Sequence, residues 1–303
     1  LAVNASLSRE DLAGFLYDSI YEKILPLGDD LIIYPGHGKG SKCGKKLSDK
    51  KWSTLGAERI SNYALQGLSK PEFIQTVTEG LSTPPQYFPK NAQLNKAGYM
   101  SLDQVLNKAY RPLSAQDFAE TLLQQNALVL DCRASSNWAA GYVRGSLHVG
   151  MDGSFAVWVG TLVKDINQPL LLITEPEMER EAIIRLARVG YDNVLGFLKG
   201  GMDTWMKAGK KVDRVKCICP NAFLNLAYEG QILDVRRQDE VASGALPSAI
   251  NIPLEELYSR LIALDKEAPV YVYCRSGYRS AVAASILKQQ GFESVVNIKK
   301  GYQ

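Results

Sequence analysis

The sequence predicts an α/β protein of more than one domain, built on largely parallel sheets. Three observations carry this expectation. The chain has 303 residues, against roughly 100–200 per domain. An internal duplication runs through its last two thirds. Within each copy, short apolar and β-branched runs alternate with stretches of helical spacing, the pattern of a parallel sheet covered on both faces. Hydrophobic residues make up 46% and charged residues 22%, a globular balance that excludes a disordered or fibrous chain. The net charge of +3, from 35 basic and 32 acidic residues, gives no clustered basic face for a nucleic-acid partner.

Five cysteines, at positions 43, 132, 217, 219 and 274, are odd in number and scattered. That argues against a disulfide scaffold and for a reducing compartment. No apolar run nears the roughly 18 residues of a membrane span, and no signal-peptide pattern opens the chain. A soluble, cytoplasmic protein with no nucleic-acid or membrane partner is expected. The first residue is Leu1 rather than methionine, which suggests a piece of something longer.

Taken in order, the first element is a helix capped by Ser8, with Leu12, Leu16, Ile20 and Ile24 spaced to form one apolar stripe. A strand over Asp30–Tyr34 follows and runs into a glycine-rich loop, Pro35 to Gly44, that holds His37 and Cys43. By itself a lone histidine in such a loop reads as a loop residue, and His148 suits a surface or core role.

The duplication aligns Leu130–Gly141 with Leu233–Gly244 at one offset, matching Leu, Asp, Arg, Ala and Gly. Gly190-Tyr-Asp-Asn-Val echoes Gly291-Phe-Glu-Ser-Val farther on. Its period of about a hundred residues means duplicated domains, since solenoid repeats run roughly 20–50. In the second copy, strands are expected at Gln231–Val235, Ala249–Ile252 and Pro269–Tyr273. Ser280–Gln290 carries Val282, Ala283, Ile286 and Leu287 at helical spacing, with Gly291 as its C-cap. The first copy closes through a helix over Met202–Gly209, whereas the second ends at Gln303 where the matching helix is due. A truncated C-terminus is expected.

Cys274-Arg-Ser-Gly-Tyr-Arg-Ser280 joins a buried strand to a helix, the place where open α/β sheets bind ligands. Backbone N–H groups and the helix dipole there favour negative charge at the sulfur, so the nucleophile is expected as a thiolate. Arg275 and Arg279 add fixed positive charge, and Gly277 permits the tight turn. The alternative is a buried structural cysteine, which has no need of two arginines and a glycine within five positions.

This loop, the Leu-Asp-x-Arg stretches and Gly244–Ala249 resemble the rhodanese family over residues 113–303. The resemblance implies an inactive domain at 113–213 and a catalytic one at 214–303. In the latter, Cys274 would take the outer sulfur of a donor, hold it as a persulfide and pass it to a thiol or cyanide. Arg275, Ser276, Gly277, Tyr278, Arg279 and Ser280 would cradle the anionic substrate, with Asp234 and Arg236 as structural neighbours. Gly244-Ala245 departs from the family's frequent Gly-His, a change expected to affect packing more than chemistry. Phosphatases of similar architecture carry a loop one residue longer, so the four residues between Cys274 and Arg279 favour sulfur transfer. The first copy reads Thr174-Glu-Pro-Glu-Met-Glu179 at the matching loop, without a nucleophile and with acids in place of the basic cradle. Cys132 is expected in the core. Cys217-Ile-Cys219 lacks the four ligands of structural zinc and is expected to pack in the core.

Tyr34-Pro-Gly-His-Gly38, Ser53–Gly56 and Pro84–Tyr99 resemble the C-terminal part of persulfide dioxygenases, which have the metallo-β-lactamase fold. That implies a partial metallo-β-lactamase domain at 1–100, a linker at 101–112, and a parent enzyme that oxidises persulfide sulfur to sulfite with O₂ and Fe(II). The family's His-x-His-x-Asp-His cluster is absent from this chain. His37 matches a later motif histidine that holds a second metal in dinuclear relatives. With two histidines in all, no complete iron site is expected from this chain. The implied substrates are thiol persulfide, thiosulfate or sulfite, with a low-molecular-weight thiol as acceptor. A homo-oligomer is a further expectation, because half a metallo-β-lactamase core leaves apolar surface uncovered. The competing reading is a non-catalytic docking or oligomerisation module.

Overall fold

The computed structural model describes residues 7–36, 50–79, 88–226 and 229–302. It divides into two compact units, Leu1–Lys96 and Ala97–Gln303. His37, Cys43 and the first residues of the Pro84–Tyr99 motif lie outside the described residues.

In the first unit, helix α1 (Arg9–Ser19) begins at a capping box in which Ser8 Oγ accepts the Asp11 N–H and the Asp11 carboxylate accepts the Ser8 N–H. The helix does not continue as an α-helix to Ile24. It widens into a π-helical turn over Ile20–Ile24, which shifts the side-chain spacing and breaks the four-residue stripe. Ala13 and Gly14 are buried, while Leu16 and Ile24 are exposed. Strand β1 (Ile32–Ile33) pairs antiparallel with β2 (Ser53–Thr54), and Thr54 caps α2 (Leu55–Ser61). Helix α3 (Lys70–Thr78) packs on α1, with Phe73 edge-on to the stacked rings of Tyr17 and Tyr21. Phe15, Ile32, Tyr34, Trp52 and Ile60 remain exposed. Helix α4 (Phe88–Ala97) follows.

The stretch expected as a linker contains helix α5 (Leu102–Ala109). Ser101 and Gln104 form its capping box, and Val105, Leu106 and Ala109 give it a buried face. Three apolar positions on one side are enough to dock a short helix, which a reading for domain-sized patterns passes over.

The second unit holds both copies. The first has strands β3 (Pro112–Leu113), β4 (Leu128–Asp131), β5 (Leu147–His148), β6 (Leu170–Ile173) and β7 (Val194–Leu198), with helices α6 (Ala115–Gln124), α7 (Ser135–Ala140), α8 (Phe155–Leu162), α9 (Glu179–Ala187) and α10 (Gly201–Lys207). The second has β8 (Lys216–Ile218), β9 (Gln231–Asp234), β10 (Ile250–Asn251), β11 (Val270–Tyr273) and β12 (Val295–Ile298), with α11 (Pro220–Leu224), α12 (Gln238–Val241), α13 (Leu257–Arg260) and α14 (Tyr278–Gln289). Helix α5 packs against α9 and β7.

The sheets run β3-β7-β6-β4-β5 and β10-β9-β11-β12-β8, with every pairing parallel. Numbered within each copy, both are 1-5-4-2-3, so the duplication seen in the residues is a duplication of topology. Phe118, Val129, Leu171, Ile173, Leu198 and Trp205 belong to the first core. Phe223, Ile232, Tyr271, Tyr273, Val296 and Ile298 belong to the second.

Helix α14 departs from the expected amphipathic form. Every residue from Ser280 to Leu287 is buried, because α14 packs on β11 and β12 of its own copy and on β5 and α7 of the other. A helix covered on both sides needs small or apolar residues all round, which Ala281, Ala283, Ala284 and Ser285 supply. Ser285 Oγ accepts the His148 N–H across this interface at 3.0 Å.

Candidate active site

The site is built where the second sheet reverses its strand order. β9 is followed in the chain by β10 on one side, and β11 by β12 on the other. The C-terminal ends of β9 and β11 therefore flank a switch point, the usual crevice of an open parallel sheet. Asp234 ends β9, and Cys274 follows the last residue of β11.

Cys274 exposes no surface, yet polar groups surround its sulfur. The Gly277 N–H donates to Sγ at 3.1 Å and the Ser280 N–H at 3.4 Å. Ser280 Oγ lies 3.7 Å away and donates its own hydrogen to the Gly277 carbonyl at 3.1 Å. Gly277 takes φ +97° as the N-cap of α14, a left-handed turn that a side chain would strain. That turn aims its amide at the sulfur. Two N–H donors at a helix N-terminus form a cradle suited to negative charge. The thiol is buried, as the structural-cysteine alternative requires, but a merely packed thiol has no use for such donors.

Arg275 and Ser276 are exposed at the outer edge of the loop. Arg279 turns the other way and makes a two-pronged pair with Glu240, at 2.6 and 2.7 Å. Its hydrogen bonds hold the Glu240 carboxyl down to about 2. Of the two loop arginines, Arg275 thus faces outward while Arg279 ties α14 to α12 across the switch point. Tyr278 reaches out of the loop to the first copy. Its hydroxyl donates to the Gly150 carbonyl of the first copy at 2.7 Å, and burial pushes its ionisation up. Of the expected loop residues, Cys274, Gly277 and Ser280 are brought together at the sulfur; Arg279 pairs with Glu240 while its charge still acts on Cys274, Tyr278 bonds the first copy, and Arg275 and Ser276 are exposed.

Beneath the loop, buried Asp234 grips Arg236 through both carboxylate oxygens, at 3.0 and 2.7 Å. Arg236 also donates to the Gly244 carbonyl at 2.8 Å and lies over the Tyr302 ring at 4.4 Å. Asp131, Arg133 and Gly141 repeat this arrangement in the first copy. Ala245, the departure from the family pattern, is exposed.

Thr174, directly after β6, takes the place of Cys274 in the first copy, since Ile173 pairs with Asp131 as Tyr273 pairs with Asp234. Glu175 turns inward there, accepting the Ala134 N–H at 3.1 Å and the Asn137 side-chain amide at 2.7 Å. Cys132 is buried as expected, and burial pushes its thiol well up. Cys219 corrects an expectation. Its side chain is exposed rather than packed in the core, because β8 ends at Ile218 and Cys219 caps α11, accepting the Ala222 N–H at 3.4 Å. His148 is a core residue stacked on Trp138 at 4.9 Å. Among the described residues, no group of three or more His, Cys, Asp or Glu side chains is placed to hold a metal ion.

The sequence reading missed Glu240, which stands 39 residues from Arg279, and Gly150. No local pattern joins either to the loop; an acidic residue four positions after Arg236 was the only available hint.

The family model for the rhodanese-like domain matches residues 114–208 and again 220–303. The chain belongs to the rhodanese-like family. A "Sulfurtransferase" of Allochromatium vinosum is 37% identical over 70 residues, covering 23% of this chain and 65% of that protein. A "Rhodanese domain-containing protein CG4456" of Drosophila melanogaster is 37% identical over 83 residues, covering 22% of this chain and 74% of that protein. Among solved structures, a metallo-beta-lactamase from Staphylococcus aureus subsp. aureus COL aligns with TM-score 0.51 and 27% identity. That alignment covers 66% of this chain and 54% of the lactamase chain. This rhodanese-like chain thus spans less than two thirds of both the sulfurtransferase and the lactamase. It combines two rhodanese-like domains with a metallo-β-lactamase structural neighbour, in a mixed α/β architecture of parallel sheets. Among the described residues, no helix is long and apolar enough to cross a membrane.

Proposed function

We propose that this rhodanese-like chain transfers sulfane sulfur through a persulfide on Cys274, in the service of persulfide oxidation by a metallo-β-lactamase-fold protein. The observation that carries the reading is the sulfur of Cys274 under two converging N–H donors, at the switch point of one sheet and not the other. Sulfurtransferase-named relatives support it.

In the proposed reaction, the Cys274 thiolate attacks the outer sulfur of thiosulfate or of a thiol persulfide. A new S–S bond forms on Cys274 as the donor's S–S bond breaks, and the electron pair leaves with sulfite or the donor thiolate. The cysteine persulfide keeps one negative charge, which the Gly277 and Ser280 amides are placed to stabilise. An acceptor thiolate or cyanide then takes the outer sulfur, and the thiolate of Cys274 returns. Arg275 is the exposed cation at the loop and would meet the incoming anion. The dioxygenase context rests on the resemblance at residues 1–100 and on the lactamase neighbour. The exposed apolar side chains of the first unit suit a surface covered by further metallo-β-lactamase residues or by a second copy of the chain.

The non-catalytic reading fits the first copy, where Thr174 replaces the nucleophile and Glu175 occupies nearby amide donors. A thiosulfate:cyanide assay on the wild-type chain and on Cys274→Ser, with intact-mass detection of one added sulfur, tests the proposal. Loading and turnover in the wild type alone support it. Equal activity in both, or none in either, overturns it.

A further inference from the structure

The inactive copy is tied directly to the active loop. Tyr278 is the first residue of α14, next to Gly277 and two positions before Ser280, the two residues whose amides face the sulfur. Its side chain is inserted into the Gly150–Ser154 turn that connects β5 to α8 in the first copy. The hydroxyl donates to the Gly150 carbonyl at 2.7 Å. The ring lies so close over Gly153 that a Cβ there would fall 2.4 Å from a ring carbon and 2.6 Å from the next. Gly153 thus leaves a slot shaped for an aromatic ring. Arg185 donates to the Met151 carbonyl at 2.9 Å, bracing the same turn from α9.

The geometry points to a division of labour between the copies: the first copy is a mould that holds the Cys274 loop in register, with Tyr278 as the positioning residue. Tyr278 does not touch the sulfur. It anchors the residue that lies between the two donors, Gly277 and Ser280, and so bears on where both point. Arg279 anchors the loop to α12 of its own copy through Glu240, Arg275 and Ser276 are exposed, and Tyr278 supplies the anchor to the other copy. The inference rests on the reading of Cys274 as the nucleophile, and it adds that the nucleophile's surroundings are set by a domain without chemistry.

The test uses the whole chain and alters the mould rather than the loop. Gly153→Ala places a methyl group against the Tyr278 ring. Gln289→Ala is the control: at the far end of α14 it removes a hydrogen bond across the same interface, from Gln289 Nε2 to the Gly145 carbonyl at 2.8 Å, together with one that Gln289 Oε1 accepts from the Tyr258 hydroxyl of its own copy at 2.8 Å. Two readouts are taken: the saturating single-turnover rate of Cys274 persulfide formation from thiosulfate, and deuterium exchange in the peptide spanning residues 274–280. Gly153→Ala is expected to lower the saturating rate about ten-fold, as small misplacements at a reacting centre do, and to speed exchange in that peptide. Gln289→Ala is expected to leave both unchanged. Tyr278→Phe, which keeps the ring and loses the hydroxyl, is expected to fall between Gly153→Ala and wild type. Equal behaviour of Gly153→Ala and wild type, or equal losses in Gly153→Ala and Gln289→Ala, overturns the inference. Should wild type load no sulfur, the sulfur-transfer reading fails by itself, and the exchange data decide whether the mould exists.

Discussion

Replacing Glu240 with glutamine probes the ion pair that spans the switch point. The Arg279–Glu240 pair has two short hydrogen bonds, 2.6 and 2.7 Å, and side chains 17% and 21% exposed. Arg279 holds the Glu240 carboxyl at about 2, against an ordinary 4.5. Taken at face value, that gap corresponds to about 3 kcal/mol. Solvent reaches the pair and screens it, which reduces the expected contribution to about 1–2 kcal/mol. At neutral pH, Glu240→Gln should then melt about 2–8 °C below wild type. The sign of the pH dependence follows from the depressed folded value. The stabilisation is complete above the unfolded value near 4.5, shrinks as pH falls, and is lost once the folded carboxyl protonates near 2. At about pH 3 less than half should remain. The assay is a pair of thermal melts, wild type and variant, repeated from neutral pH downward. A gap between the curves that stays constant down to about pH 3 would refute the ionic account and leave only lost packing.

Two further outcomes follow from buried groups. Burial pushes His148 down to about 4 from its ordinary 6.5, so it is neutral in the folded chain and takes up a proton on unfolding. Stability should fall as pH drops from about 6.5 toward 4, with one proton's slope that His148→Asn removes; an unaltered slope in the variant, followed by urea titration, contradicts this. Asp234→Ala strands the buried Arg236 guanidinium, and urea unfolding should record a loss of about 3–5 kcal/mol; a loss under about 1 kcal/mol would mean that Arg236 finds another partner.

What could be read from the residues was what lies close along the chain. A strand, a cysteine, a glycine and a helix within one dozen positions define the Cys274 loop, and the copies align because their strands and Asp-x-Arg corners have the same spacing. The orientation of the side chains could not be read that way. Arg279 and Arg275 look equivalent in the sequence, yet one is neutralised by Glu240 and the other is open. Tyr278 looks like a loop residue, but its partner is 128 positions away. The apolar stripe of α14 was legible, whereas burial of Ala281, Ala284 and Ser285 required the other copy in place. Helix α5 was overlooked because its buried face consists of only three residues, and Cys219 because strand β8 stops one residue before it.

The double coverage of α14 bears on how such a duplicated gene can evolve. A copy that has lost its own nucleophile is ordinarily free to be deleted. Here deletion would strip one side of the central helix of its surviving sister, uncovering a row of alanines and the serine hydroxyl that now accepts the His148 N–H. Selection on solubility alone would therefore preserve the first copy, whatever its own chemistry.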